Sequence, residues 1–258
     1  MTGSPDNSHD GHVARQFGPQ AAAYVQSAVH AAGADLDRLE TIAQALQPRH
    51  ALDLGSGGGH VAYRIAGHAG AVTACDLSAE MLAAVAQVAA GRGIANVATR
   101  QAPAERLPFP DAAFDFVGCR FSAHHWLGFE AGLRESRRVL APGSVAVFID
   151  GMSPGRAVLD THLQTIELLR DTSHVRDYAA AEWLGALERA GFAVKAATTD
   201  RLRMDFPTWI ARMRTPDTNA AAIRALQAGA SAEVRGHFGI EADGSFQLDT
   251  IFVKAIAA

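Results

Sequence analysis

Between residues 50 and 150, short apolar runs alternate with helix-spaced segments. This alternation limits the fold more than any other feature of the chain. HALDL (50–54), AVTAC (71–75), NVATRQ (96–101), about 114–119 and SVAVFID (144–150) have strand character. They are separated by helical patterns through about Ala66, over 79–90 and over 128–140. Strands joined by helices with short connections form right-handed βαβ units, hence a parallel sheet with helices on both faces. Beyond 150 the pattern predicts helices at about 155–172 and 179–190, strands at 192–199 and 246–256, and a helical insertion over about 206–235. The expected fold is α/β: a doubly wound, mostly parallel seven-stranded sheet with helical additions. Residues 1–13 are expected to be a disordered polar tail. One domain is expected over 14–258, with a helical cap at 14–47, a ligand-binding half at 48–150, and insertions at 151–178 and 206–235 over a pocket.

The first strand runs into LDLGSGGGH (52–60), the densest glycine stretch in the chain. A triphosphate loop would need Gly-Lys-Ser/Thr after four intervening residues, and no lysine follows. Gly57-x-Gly59-x-x-Ala62 matches the looser dinucleotide form, G-x-G-x-x-A. That frame, however, sets the Asp53 carboxylate beside a doubly charged pyrophosphate, an unfavourable pairing of like charges. The frame starting at Gly55 has no such conflict, because a nearby carboxylate suits a ligand carrying positive charge. S-adenosylmethionine has an ammonium and a sulfonium and no phosphate. Asp76 ends the second strand, 21 residues after Gly55, where a carboxylate can accept ribose hydroxyls.

Several motifs occur in a fixed order: Asp53-Leu54-Gly55-Ser56-Gly57-Gly58-Gly59, Asp76-Leu77-Ser78-x-x-Met81-Leu82, Glu105-Arg106-Leu107-Pro108-Phe109 with Phe114-Asp115, and Arg138-Val139-Leu140-x-Pro142-Gly143. In combination they resemble the class I S-adenosylmethionine-dependent methyltransferases, type 11 domain, close to the ubiquinone/menaquinone- and biotin-biosynthesis types. Phe17-Gly18-x-x-Ala21-x-x-Tyr24 resembles the start of that group, and RFSAHHW and LRDTSHVRDY resemble an uncharacterised bacterial branch of it. The resemblance implies that Gly55, Ser56 and Gly57 lie against the methionine part and ribose, with Asp53 near the amino group. Asp76 would hold the ribose, and Leu77 and Met81 would pack on adenine. Ala104 and Glu105 would supply the adenine edge, Cys119 and Arg120 would face the methionine part, and Tyr24 would cover the cofactor. Pro103 departs from the commoner Gly-Asp-Ala-Glu and offers no acceptor to the adenine amino group.

Methyl transfer needs a base only when the acceptor must lose a proton. His124 and His125, just past the fourth strand, are the candidate catalytic residues. Adjacent histidines point apart in extended chain and no ligand cluster accompanies them, so no metal site is expected. Arg170-Asp171-x-x-His174-x-Arg176-x-Tyr178 either binds an acidic or phenolic acceptor or pairs its own charges. Trp209, Arg212 and Met213 either wall the acceptor pocket or pack on the core.

With net charge −4, 48% hydrophobic residues and no basic stripe, the chain is not expected to bind nucleic acid. No apolar run spans a bilayer, and Cys75 and Cys119 form no CxxC pattern, so the expected setting is the cytoplasm. The expected function is methyl transfer from S-adenosylmethionine to a small-molecule acceptor. The competing readings are an NAD(P)-dependent oxidoreductase and a non-catalytic S-adenosylmethionine-binding protein.

Overall fold

The strand residues alternate between two buried faces, as a sheet covered on both sides requires. Leu52, Leu54, Val117, Cys119 and Phe148 enter one core. Ala51, Val72, Phe116, Val147 and Ile149 enter the other. The computed structural model describes residues 8–18 and 33–258. Its strands are β1 (His50–Leu54), β2 (Ala71–Asp76), β3 (Val97–Gln101), β4 (Phe114–Arg120), β5 (Leu140–Ser153), β6 (Phe192–Met204) and β7 (Phe246–Ala257). They lie in the order β3-β2-β1-β4-β5-β7-β6, and a two-residue strand, Tyr178–Ala179, pairs with the end of β5. The first five are mutually parallel, while β7 runs antiparallel to β5 and β6. This is the doubly wound, mostly parallel sheet expected from the sequence.

The strand order reverses between β1 and β4, where Leu54 pairs with Cys119. Crossover helices leave these two strands in opposite directions and open a crevice at their carboxyl ends. The glycine loop and residues 121–126 therefore face each other. The helices are α1 (His9–Phe17), α2 (Ala34–Leu46), α3 (His60–Ala66), α4 (Ala79–Gly91), α5 (Phe129–Val139), α6 (Ala157–Arg170), α7 (Ala180–Arg189), α8 (Phe206–Met213), α9 (Asp217–Ala228) and α10 (Ala232–Phe238). Ser78 caps α4, its Oγ accepting the Met81 N–H at 3.1 Å. The expected insertion at 206–235 is α8 to α10, which share a third core with α6 and the β6–β7 hairpin through Leu163, Trp209, Ile223, Phe238 and Phe246.

One expectation fails at the N-terminus. Residues 9–13, read as disordered tail, are helical in α1. Ser8 caps the helix by accepting the Gly11 N–H at 3.1 Å, and Val13 is buried. The polar composition hid the two apolar positions, Val13 and Phe17, which are four residues apart and so share a helix face. Tyr24 and the rest of the expected first helix beyond Gly18 lie outside the described residues.

Candidate active site

β1 ends at Leu54, and Gly55 turns the chain with φ +68°, a conformation that side chains rarely adopt. A Cβ on Gly55 would lie 1.8 Å from Ser122 Oγ, so the loop and the β4 turn touch backbone to side chain. The Ser56 N–H donates to the Cys75 carbonyl at 2.9 Å. Its Oγ is buried without a hydrogen-bond partner among the described residues. Asp76 accepts the Gly57 and Ser78 N–H groups at 2.8 and 2.9 Å, which fixes its carboxylate beside the loop. Burial raises its pKa against those two hydrogen bonds. Asp53 lies beneath the loop, 1% exposed, and accepts the Ala62 N–H at 2.9 Å. Burial outweighs that bond and, with the nearby Asp76 charge, pushes Asp53 up to about 7.

A cleft of about 710 Å³ opens over this loop. Gly55, Gly57, Asp76, Leu77, Met81, Ala104 and Glu105 line it, all of them among the expected cofactor contacts. Asp53 and Ser56 sit behind the loop. Cys119 and Arg120 do not line the cleft. The Cys119 side chain is in the core, where burial raises its thiol pKa well above the ordinary value. Arg120 points to the opposite face and pairs with Asp35 of α2, Nε to Oδ2 at 2.5 Å. The chain then turns at Phe121 (φ +51°), and Phe121 and Ser122 take the expected place. The remaining wall comes from Asp10, Val13 and Phe17 of α1 and from His125 and Trp126.

A second cleft, of about 650 Å³, adjoins the first, and Phe17, Phe121 and His125 belong to both. His124 and Gly151 form part of it, Glu167, Arg170, Asp171 and Asp177 come from the insertion after β5, and Arg212 from α8. His124 Nδ1 lies 2.5 Å from Asp150 Oδ1. Burial pulls the His124 pKa down, but the charge and hydrogen bond of Asp150, with the charges of Asp177 and Glu167, raise it to about 9. That shift favours the protonated ring, with Nδ1 donating to Asp150. His125 goes the other way: burial and the His124 charge lower it to about 4, and its Nδ1–H donates to the Ser173 carbonyl at 3.1 Å.

The polar insertion divides between the two roles open to it. Arg176 pairs with Asp160 and Glu182, and Tyr178 stacks on Phe129 at 3.8 Å, both structural arrangements. His174 is held by Gln164 Oε1 at 2.9 Å, and burial lowers it to about 2, so it is neutral. Arg170, Asp171 and Asp177 face the second cleft. Burial and the Glu167 charge push Asp177 up to about 8. Trp209 and Met213 are core residues, 1% and 2% exposed, and only Arg212 of that trio lines the cleft.

The sequence reading missed Phe121, Ser122, Asp150, Glu167 and Asp177. Asp150 carried a usable signal, since an acid closing the apolar run SVAVFID falls at the carboxyl edge of the sheet.

The profile of one family, described as a methyltransferase domain, matches residues 52–148. Among curated relatives, the uncharacterized protein YafE of Escherichia coli is 50% identical over 197 residues, covering 76% of this chain and 95% of YafE. The uncharacterized methyltransferase YcgJ of Bacillus subtilis is 31% identical over 240 residues, 93% of this chain and 95% of YcgJ. The crystal structure of YcgJ superposes with a TM-score of 0.82 at 30% identity, covering 86% of this chain and 97% of that one. A putative methyltransferase of Bacillus halodurans superposes with a TM-score of 0.83, again at 30% identity, over 87% of this chain and 99% of its own.

Proposed function

The chain belongs to the class I S-adenosylmethionine-dependent methyltransferases, and from that membership we propose that it methylates a small molecule held in the second cleft. The observation that carries the reading is the pair of clefts meeting at Phe17, Phe121 and His125. One has the fittings of a nucleoside site, and the other is polar and lined by the insertion.

Two features of the first cleft fit the donor. Ser56 Oγ is buried without a partner among the described residues, and a buried hydroxyl is normally satisfied. Asp53 is buried with one backbone N–H as its hydrogen bond among those residues, an arrangement that favours a cationic ligand nearby. S-adenosylmethionine, when bound, supplies a methyl group already activated on a sulfonium. The chain's own residues then hold and align. Asp76 keeps acceptor capacity for ribose hydroxyls, Leu77 and Met81 offer an apolar face to adenine, and the Gly55–Gly57 backbone lets the ligand approach closely. α1 and Trp126 exclude water. Alignment of this kind lowers a barrier by roughly 7–11 kcal/mol.

The dinucleotide reading loses its support at Gly59. A Cβ there would meet Tyr63 at 2.8 Å and Val85 at 3.0 Å, so Gly59 serves the packing of α3 rather than a ligand. The lining of the first cleft includes Gly55 and Gly57 but not Gly59. Both cysteines are free and buried, and no described helix is long and apolar enough to cross a membrane, which accords with a reducing cytoplasm.

Calorimetry tests the reading. S-adenosylhomocysteine is expected to bind and NADH is not, and mass spectrometry of a metabolite panel with S-adenosylmethionine is expected to find a methylated product. Tight binding of NADH with none of S-adenosylhomocysteine would overturn it.

A further inference from the structure

We propose that His124, Asp150 and Asp177 form a binding site for a divalent transition-metal ion at the inner wall of the second cleft. The three residues come from separate pieces of chain: the turn after β4, the end of β5, and the segment between α6 and the short strand at Tyr178. One ligand atom from each lies within 4.8 Å of the other two. An ion with bonds of roughly 2.0–2.2 Å holds its ligands roughly 3–4 Å apart, so side-chain adjustment of about an ångström completes the set.

Asp177 supplies an independent observation. Its side chain is 4% exposed, and Oδ2 is buried without a hydrogen-bond partner among the described residues. His174 Nε2 stands 4.0 Å away and is already committed to Gln164 Oε1 at 2.9 Å. Other acids of the cleft are occupied: Glu167 pairs with Arg170 at 3.3 Å, and Asp171 accepts the Ser173 N–H and Oγ–H at 2.9 and 2.6 Å. A buried carboxyl group with one oxygen unpaired, beside a histidine and a second carboxylate, is an arrangement completed by a cation.

Two of the three ligands are also held in place by their neighbours. Asp150 Oδ1 takes the Gly151 N–H at 2.8 Å and faces His124 Nδ1, and Oδ2 takes the His124 backbone N–H at 3.3 Å. One nitrogen and carboxylate oxygens suit Zn²⁺, Mn²⁺ or Fe²⁺ better than Mg²⁺ or Ca²⁺. His124 Nδ1 and Asp150 Oδ1 share a hydrogen bond at 2.5 Å, and an ion seated between the three side chains would replace it, the shared proton leaving to solvent. The ion's open positions would face the second cleft. On the methyl-transfer reading they would select an acceptor with a carboxylate or two adjacent oxygens.

The full chain, stripped with a chelator and dialysed, is titrated with Zn²⁺ and separately with Mn²⁺ by calorimetry. One ion per chain is expected, and D177N and D150N should each weaken binding by about tenfold or more with unchanged affinity for S-adenosylhomocysteine. No binding of either ion to the wild type overturns the proposal, as does undiminished binding by D177N. Should the variants also lose S-adenosylhomocysteine, anomalous diffraction from Zn²⁺-soaked wild-type crystals decides. A peak between the three side chains supports the site, and a peak elsewhere or none overturns it. Failure of the wild type to bind S-adenosylhomocysteine would instead count against the methyl-transfer reading and leave the metal result standing.

Discussion

Gly55 meets two demands that only a glycine can meet together: a left-handed φ of +68° and a Cβ direction blocked at 1.8 Å by Ser122 Oγ. Gly55→Ala should therefore destabilise the fold by about 1–3 kcal/mol from backbone strain alone and sharply reduce S-adenosylhomocysteine affinity. Urea unfolding and calorimetry check the two effects. Asp53 gives a pH dependence. Its pKa is raised to about 7 from 3.8, chiefly by burial, so the folded state holds the proton more tightly than the unfolded one. The stability it contributes is full below about pH 4 and is lost as pH rises through 7, a change on the order of a few kcal/mol. Urea midpoints measured across that range should fall for the wild type relative to Asp53→Asn, and parallel curves would refute the assignment. Both residues were legible in the sequence because strand, loop and helix are contiguous there. Cys119 and Arg120 misled by two positions: strand alternation sends them to opposite faces, and nothing about an aromatic residue announces the left-handed turn at Phe121.

At the scale of the element, α1 has the largest effect for its size. Its nine residues contribute Asp10, Val13 and Phe17 to the first cleft. It is tied down by His9 Nε2 to the His125 carbonyl and by His12 Nε2 to Thr172 Oγ1, each at 2.9 Å. Val13→Asp places a charge on the cleft wall. S-adenosylhomocysteine affinity should fall by about tenfold, or about 1.4 kcal/mol, with little movement of the thermal midpoint; a lowered midpoint with intact affinity would contradict this role. A helix that buries one valine and one face of a phenylalanine leaves too faint an apolar stripe to be seen in a polar stretch. The βαβ elements were legible because their apolar periods are long and strict.

Across the whole molecule, sheet order explains why the two clefts adjoin. The reversal between β1 and β4 places the glycine loop against residues 121–126, and β5 beside β4 brings Asp150 to His124. The long β6–β7 hairpin carries Leu202, Met204 and Leu248 to the second cleft and seats the third core behind them. Trp209, packed against Phe246 at 5.1 Å, anchors that core. Trp209→Ala should cost about 3–5 kcal/mol while leaving S-adenosylhomocysteine affinity near the wild-type value, since the donor cleft rests on other residues. The joining of His124, Asp150 and Asp177 had no counterpart in the sequence. They stand 26 and 27 residues apart, and only the crossover and the insertion close those distances.

The wall formed by Phe17, Phe121 and His125 has a further consequence. A ligand in either cleft rests on the same three side chains, so any shift of them on binding in one cleft reshapes the other. On the methyl-transfer reading, donor and acceptor would be linked across that wall, each changing the other's affinity by the same factor.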